Sequence, residues 1–362
     1  MPLSQSSERP SSPKYNGPVL GGYISAFFLL LPVASAQPAT ADVRAILANI
    51  IGNRHESAGI VVGMIDPRGS RIVSYDDHAQ RMDGSTIFEI GSLTKIFTAL
   101  LLTDMAERGE VELSDPVAKY LPSSVHIPER AGRSITLQDL ATNTSGLPRS
   151  PANFTPHYSL TELFNFLSSY QLTRDIGSEW EYSNFGYALL GQALALRAGT
   201  SFESLVRSRI TEPLAIDSTR IVLLPADHAR LTPGHNKQLA QVEASDFGAL
   251  APAAGLHSTA NDLVKLLAPA SPVSSAMAAM LSVRRPTTQP GLVNALGWQI
   301  STPDALEIVW KDGNTPGYSS FMGFNPRTKT GVVVLSNTST TAVTNRIGMH
   351  LLDPTSALFP IK

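Results

Sequence analysis

Strand patterns sit at both ends of this chain, and a long helical block separates them. Residues 59–65 and 70–75 read as strands. Asp66-Pro67-Arg68-Gly69 lies between them, a turn with Pro at its second position, so a β-hairpin is expected. Strand patterns return only at 297–301, 306–310, 318–324 and 331–335, with Asn325-Pro326-Arg327-Thr328 as the turn between the last two. Residues 341–352 read as a closing helix. From Gly109 to about Ala270 the pattern is helical, cut by many Pro and Gly turns. One sheet fed from both ends makes that block an insertion, and a cleft is expected where the two parts meet.

The individual helices have clear signals. Residues 42–53 carry Val43, Ile46, Leu47 and Ile50 on one side, an amphipathic pattern. Residues 92–108 form a mostly apolar helix closed by Gly109. Its middle, 96–102, is apolar on nearly every side, which implies burial between layers. Thr136 and Thr259 each precede a helical run with Asp139 or Asp262 three residues on, a capping pattern. Residues 185–198 and 202–209 look like further helices.

Composition excludes several functions. Of 362 residues 43% are hydrophobic and 16% charged, with net charge −2, a globular balance with no basic excess for nucleic acid. Cysteine is absent, so thiolate catalysis, disulfides and Cys-zinc sites are out. The eight histidines never pair as H-x-H or H-E-x-x-H, so no metal site and no cofactor is expected. At the N-terminus, polar residues with Arg9 and Lys14 precede an uncharged stretch, 19–36, that ends in Ala34-Ser35-Ala36. This reads as a signal peptide over 1–36, cleaved after Ala36, with export to the periplasm or exterior and no membrane anchor afterwards. The remaining 37–362 is expected to divide into a sheet lobe (about 37–108 and 271–362) and a helical lobe (about 109–270), and to act as a monomer.

Chemistry concentrates in three segments. In Ser92-Leu93-Thr94-Lys95 the serine and lysine lie three apart on one helix face, side by side. A lysine amine held out of bulk water can lose its proton, and a helix start favours negative charge. The pattern alone is ordinary: Ser11-Ser12-Pro13-Lys14 matches it too, and a capping serine with a surface lysine has the same spelling. The second segment is Glu181-Tyr182-Ser183-Asn184-Phe185, before a helix. A tyrosine near two lysines has its phenolate favoured, and Asn184 can donate to a substrate amide oxygen and hold Lys95. The third is Lys311-Asp312-Gly313-Asn314, after a strand ending at Trp310. A lysine on an edge strand facing the cleft is a fixed positive charge, and the following glycine lets substrate approach the backbone.

The order S-x-x-K, Y-x-N, K-x-G resembles the penicillin-recognising serine hydrolases, in particular the class C β-lactamase branch with its DD-peptidases and β-lactamase-like esterases. Residues 109–116, 140–148, 255–259 and 317–337 are also similar to family text. The resemblance implies an α/β (α+β) fold of the β-lactamase/transpeptidase type: an antiparallel sheet flanked by helices, with an inserted all-helical lobe. It implies that Ser92 forms an acyl-enzyme, that Lys95 and Tyr182 share the proton transfers, and that the N–H groups of Ser92 and Asn314 form an oxyanion hole. Lys311 would hold the electrostatics and meet a substrate carboxylate, with Asn184, Asp312, Gly313 and Asn314 completing the binding surface. The implied substrate is a small-molecule β-lactam, or alternatively a D-alanyl-D-alanine peptide or a small ester.

Two positions depart from the family pattern. Asp312 stands where Thr or Ser is usual, and it repels a substrate carboxylate unless it pairs with Lys311 or turns away. Arg149-Ser150 follows Gly146-Leu147-Pro148 where a Gln is usual. Asn345-Arg346 on the last helix is a candidate for carboxylate recognition, against the alternative of a solvated face.

Overall fold

In a computed structural model, which describes residues 38–76, 81–268, 271, 273–303 and 306–358, strand β1 (Gly59–Asp66) is buried along its whole length. A strand covered on both faces reads as an unbroken apolar run rather than as an alternation, and Gly-Ile-Val-Val-Gly-Met-Ile is such a run. The strand's two-residue period then divides it between two cores. Ile60, Val62 and Met64 join one cluster, with Val43, Leu47 and Ile347; Val61 and Ile65 join the other, with Leu263 and Val264. The proposed leader, 1–36, lies outside the described residues.

β1 and β2 (Gly69–Asp76) form the expected hairpin, and β1 also pairs with the last strand of the chain. Numbering only the main sheet, β3 is Arg285–Pro286, β4 Leu292–Asn294, β5 Gln299–Ser301, β6 Ile308–Asn314, β7 Ser319–Asn325 and β8 Thr330–Ser336. The order is β2-β1-β8-β7-β6-β5-β4-β3, antiparallel throughout, so both chain ends contribute to one sheet as the sequence pattern requires. The sequence pattern did not indicate β3 and β4: both are short, and β3 ends in proline.

Helices cover the two faces. Helix α1 (Thr40–Ala48), continued by a wider turn over Asn49–Asn53, and the closing helix Thr341–Leu352 bury Val43, Leu47, Val343 and Ile347 against one face. On the other face, α2 (Thr94–Glu107) has its Ile96–Leu102 stretch buried on every side. α3 (Asn184–Ala198) and α4 (Ala260–Leu267) share that core. Thr136 makes a full capping box with Asp139. At α4 only half forms: Thr259 accepts from the Asp262 amide, but the Asp262 carboxylate turns to the Ser218 amide and the Thr219 hydroxyl. α5, as the closing helix Thr341–Leu352 is labelled below, approaches the sheet through Gly348, where any Cβ would overlap the Phe321 ring. Gly348→Ala is therefore expected to destabilise the fold by about 1–3 kcal/mol, read as a lower denaturant midpoint, despite the better helix propensity of alanine. An unchanged midpoint would show that this contact relaxes freely.

Candidate active site

Gly91 turns the chain into α2 with a left-handed φ of +51°, and its Cα faces the β6 backbone so closely that a Cβ would lie 2.7 Å from the Asn314 amide nitrogen. Gly313 mirrors it: a Cβ there would overlap the Ile90 carbonyl and lie 2.9 Å from the Ser92 nitrogen. The Ile90 carbonyl is itself held by the Ser320 hydroxyl at 2.8 Å, and the Ile90 amide by Leu256 O at 3.0 Å. Two glycines thus allow the turn carrying Ser92 to lie directly on the strand carrying Lys311, which brings the Ser92 and Asn314 amides into the same small region. Ser92 sits in a single 3₁₀ turn, Gly91–Leu93, and the α-helix proper starts at Thr94.

Lys95, one turn further on, is only 1% exposed. Its ammonium donates to Ser92 Oγ at 3.1 Å, to Asn184 Oδ1 at 2.8 Å and to the Ala253 carbonyl at 2.8 Å. Three acceptors match the three donors of an ammonium. The Tyr182 hydroxyl donates to the same Ser92 Oγ at 2.6 Å. Between Tyr182 and Asn184, Ser183 does the bland job: it caps α3 by accepting from the Gly186 amide at 2.8 Å, and donates to Pro148 O. The cap aims its two neighbours at Lys95 and Ser92. Asn143, held at φ +59°, accepts the Ser183 amide on its side chain and the Glu181 amide on its carbonyl, which pins the loop.

Lys311 completes the cluster from β6. Its side chain is 6% exposed, and its Nζ lies 4.9 Å from the centre of the Tyr182 ring; Lys95 Nζ is 4.8 Å from it. Burial pushes the Tyr182 phenol up, but the charges of Lys311 and Lys95 outweigh it and bring the group down to about 8. Burial pushes the Lys95 ammonium down, Tyr182 opposes that, and Lys311 adds to it, leaving about 8. Burial would lower Lys311 as well, yet Tyr182 and Asp312 outweigh it and hold the ammonium above its ordinary value.

The edge-strand expectation needs correction. β6 is an inner strand, between β5 and β7. β5, however, pairs only with Ile308, Val309 and Trp310, so the β6 backbone from Lys311 to Asn314 has no partner from β5. Asp312 both pairs and turns away: Oδ1 lies 3.4 Å from Lys311 Nζ, and Oδ2 accepts from Asn345 Nδ2 at 3.1 Å. Burial pushes its carboxyl up, and Lys311 with Asn345 outweighs that to hold it below the ordinary range. The Asn314 side chain is engaged elsewhere, accepting from Ser339 and Thr341. On the last helix Arg346 is paired with Glu56, and Asn345 is bound to Asp312.

Several contributors had no sequence signal of their own: the Ala253 carbonyl, Ser320, and Tyr187. The Tyr187 hydroxyl donates to Ala141 O and accepts from the Gly297 amide, placing its ring 5.5 Å below Lys95. Together Ser92, Tyr182, Asn184, Lys311 and Gly313 line an open cleft of about 430 Å³, with Arg149 and Trp180 at its side. Among the described residues no cluster of His, Asp or Glu could hold a metal ion. Gly313→Ala is expected to lower kcat/KM by about 10²–10³-fold, because the new Cβ forces the Asn314 amide away from that of Ser92. Near-normal kinetics in that variant would exclude this backbone contact from catalysis.

The family model described as Beta-lactamase matches residues 47–352. The chain is 28% identical over 345 residues to the D-alanyl-D-alanine-carboxypeptidase/endopeptidase AmpH of Escherichia coli K12, covering 84% of this chain and 87% of that one. It is 28% identical over 303 residues to a beta-lactamase of the same organism, covering 71% and 77%. Among solved structures, a beta-lactamase/D-alanine carboxypeptidase from Yersinia pestis complexed with citrate superposes with a TM-score of 0.75 at 24% identity, over 88% of this chain and 98% of that one. A class C beta-lactamase from Rhodobacter sphaeroides gives 0.73 at 24%, over 87% and 99%; at that identity both speak for the shared fold. A serine, a lysine and a tyrosine in mutual contact on this fold, together with a family match spanning nearly all the described residues, make the chain a member of the β-lactamase family of serine hydrolases.

Proposed function

We propose that the chain opens the amide of β-lactams through an ester formed at Ser92. The observation that carries this reading is the convergence on one oxygen, Ser92 Oγ, of the Tyr182 hydroxyl and the Lys95 ammonium. Because Lys95 already faces three acceptors, Tyr182 is the better base. The phenolate oxygen takes the Ser92 proton as Oγ bonds to the carbonyl carbon. The amides of Ser92 and Asn314 receive the developing oxyanion. Tyr182 then returns the proton to the leaving nitrogen as the C–N bond breaks, and afterwards activates the water that hydrolyses the ester.

A second reading, cleavage of D-alanyl peptides, is supported by the 28% identity, over 84% of this chain, with the D-alanyl-D-alanine-carboxypeptidase/endopeptidase AmpH. Export under the leader at 1–36, to the periplasm or exterior, belongs to both readings. A single experiment separates them: intact mass of the full-length gene product during incubation with a penicillin. β-Lactam hydrolysis predicts a penicilloyl adduct that appears and clears within minutes, with nitrocefin turnover. The peptidase reading predicts an adduct that persists. No adduct at any time would exclude acylation by β-lactams, and hydrolysis of p-nitrophenyl esters would then mark an esterase. The same spectrum reads the N-terminus, expected at Gln37; a mass that includes 19–36 would exclude cleavage.

A further inference from the structure

Four cations stand at or beside the cleft, and three are already engaged. Lys95 directs its donors to Ser92, Asn184 and the Ala253 carbonyl. Lys311 is buried and faces Asp312. Arg346 pairs with Glu56. Arg149 is exposed, lines the cleft with Ser92, and has no carboxylate partner among the described residues. Its guanidinium carbon lies 5.1 Å from the centre of the Tyr182 ring. Its backbone is fixed at the start of α3, where its carbonyl accepts the Asn184 amide at 2.9 Å and the Phe185 amide at 3.3 Å.

We propose that Arg149 is the anion anchor of the cleft, binding a carboxylate carried by the substrate and setting a preference for acidic acyl compounds, while Asp312 withholds Lys311 from that task. The proposal rests on Ser92 being the acylated residue. A guanidinium offers two parallel N–H donors that match a carboxylate, and stacking on a ring limits the freedom it loses on binding. The anchor is rigid where it needs to be, through its backbone, and wet where the ligand arrives. At Lys311 the charge that an incoming carboxylate would meet is already offset by the paired Asp312, which Asn345 holds in place at 3.1 Å.

The test uses phenylboronic acid and 3-carboxyphenylboronic acid, bound to the full-length gene product and followed by calorimetry. Each accepts the Ser92 Oγ lone pair into the empty boron orbital; the O–B bond forms, the serine proton passes to Tyr182, and nothing leaves. In the wild type the carboxylated compound should bind about tenfold more tightly, the scale of one hydrogen-bonded ion pair. In Arg149→Gln that ratio should fall to about one, and Arg149→Lys should keep part of it. Asp312→Asn should raise the ratio, since Lys311 is then available. A wild-type ratio near one, or a ratio untouched by Arg149→Gln, would overturn the anchor alone. An unchanged ratio in Asp312→Asn would overturn the part given to Asp312. If neither compound binds the wild type, the nucleophile and the anchor fall together. Binding of the uncharged compound in each variant reports an intact site.

Discussion

Ser92→Ala should give no penicilloyl adduct and a kcat/KM lower by about 10⁴–10⁶-fold, with an unchanged denaturant midpoint. Loss of a covalent nucleophile removes the reaction path itself rather than one stabilising contact, which is why the scale is that of a whole catalytic group. The fold should tolerate the change. Ser92 Oγ accepts from Lys95 and Tyr182, but Lys95 keeps Asn184 Oδ1 and the Ala253 carbonyl, and Tyr182 faces a cleft open to water. The turn that carries residue 92 is held by backbone and Ser320 contacts that the substitution does not touch. Intact mass with a penicillin and a chemical denaturation curve check both halves. Adduct formation at wild-type rate in this variant would remove Ser92 from the mechanism.

Tyr182→Phe should lower kcat/KM by about 10²–10⁴-fold, the usual weight of a positioned acid-base group. The ring stays, and with it the stacking of the three cations around it, so the loss isolates the hydroxyl. The pH profile gives the sharper readout. In the proposed mechanism the active form has Tyr182 ionised, and the phenol is lowered to about 8. Below that pH the competent fraction falls tenfold per unit, so the wild-type profile rises toward about pH 8, above which Lys95, also lowered to about 8, loses the proton that favours the phenolate. In Tyr182→Phe this rise should vanish. In Lys311→Met, where the largest charge favouring the phenolate is gone, it should move to higher pH. A rise retained unchanged in Tyr182→Phe would transfer the role of base to Lys95.

The legible parts of the fold were those with local causes. The hairpin of β1 and β2, the apolar α2 and the closing helix each follow from a period or a turn, and their bounds agree with the structure to within a few residues. β3 and β4 were not legible because two or three residues carry no period, and they exist only because β5 offers an edge to pair with. β6 was taken for an edge strand for the converse reason: sheet order is a long-range property that nothing within 306–314 encodes. Among the site residues, Ser92 and Lys95 were legible as a pair because three positions along a helix place them side by side. Tyr182 and Lys311 could be joined to them only through the resemblance of the whole ordered set to a known family.

The amino-acid sequence by itself determined which groups this protein can use: no thiol, no paired histidines, one serine and lysine set on a helix, and a phenol and a second lysine far along the chain. What only the tertiary structure decided is the state of those groups. The lowered phenol at Tyr182, the three acceptors around Lys95, the Asp312 carboxylate turned to Asn345 and the Arg149 guanidinium over the Tyr182 ring all arise from contacts between segments distant in the chain. The physical reason is that a side chain's identity is local, whereas its charge, solvation and partners are set by whatever the fold packs against it.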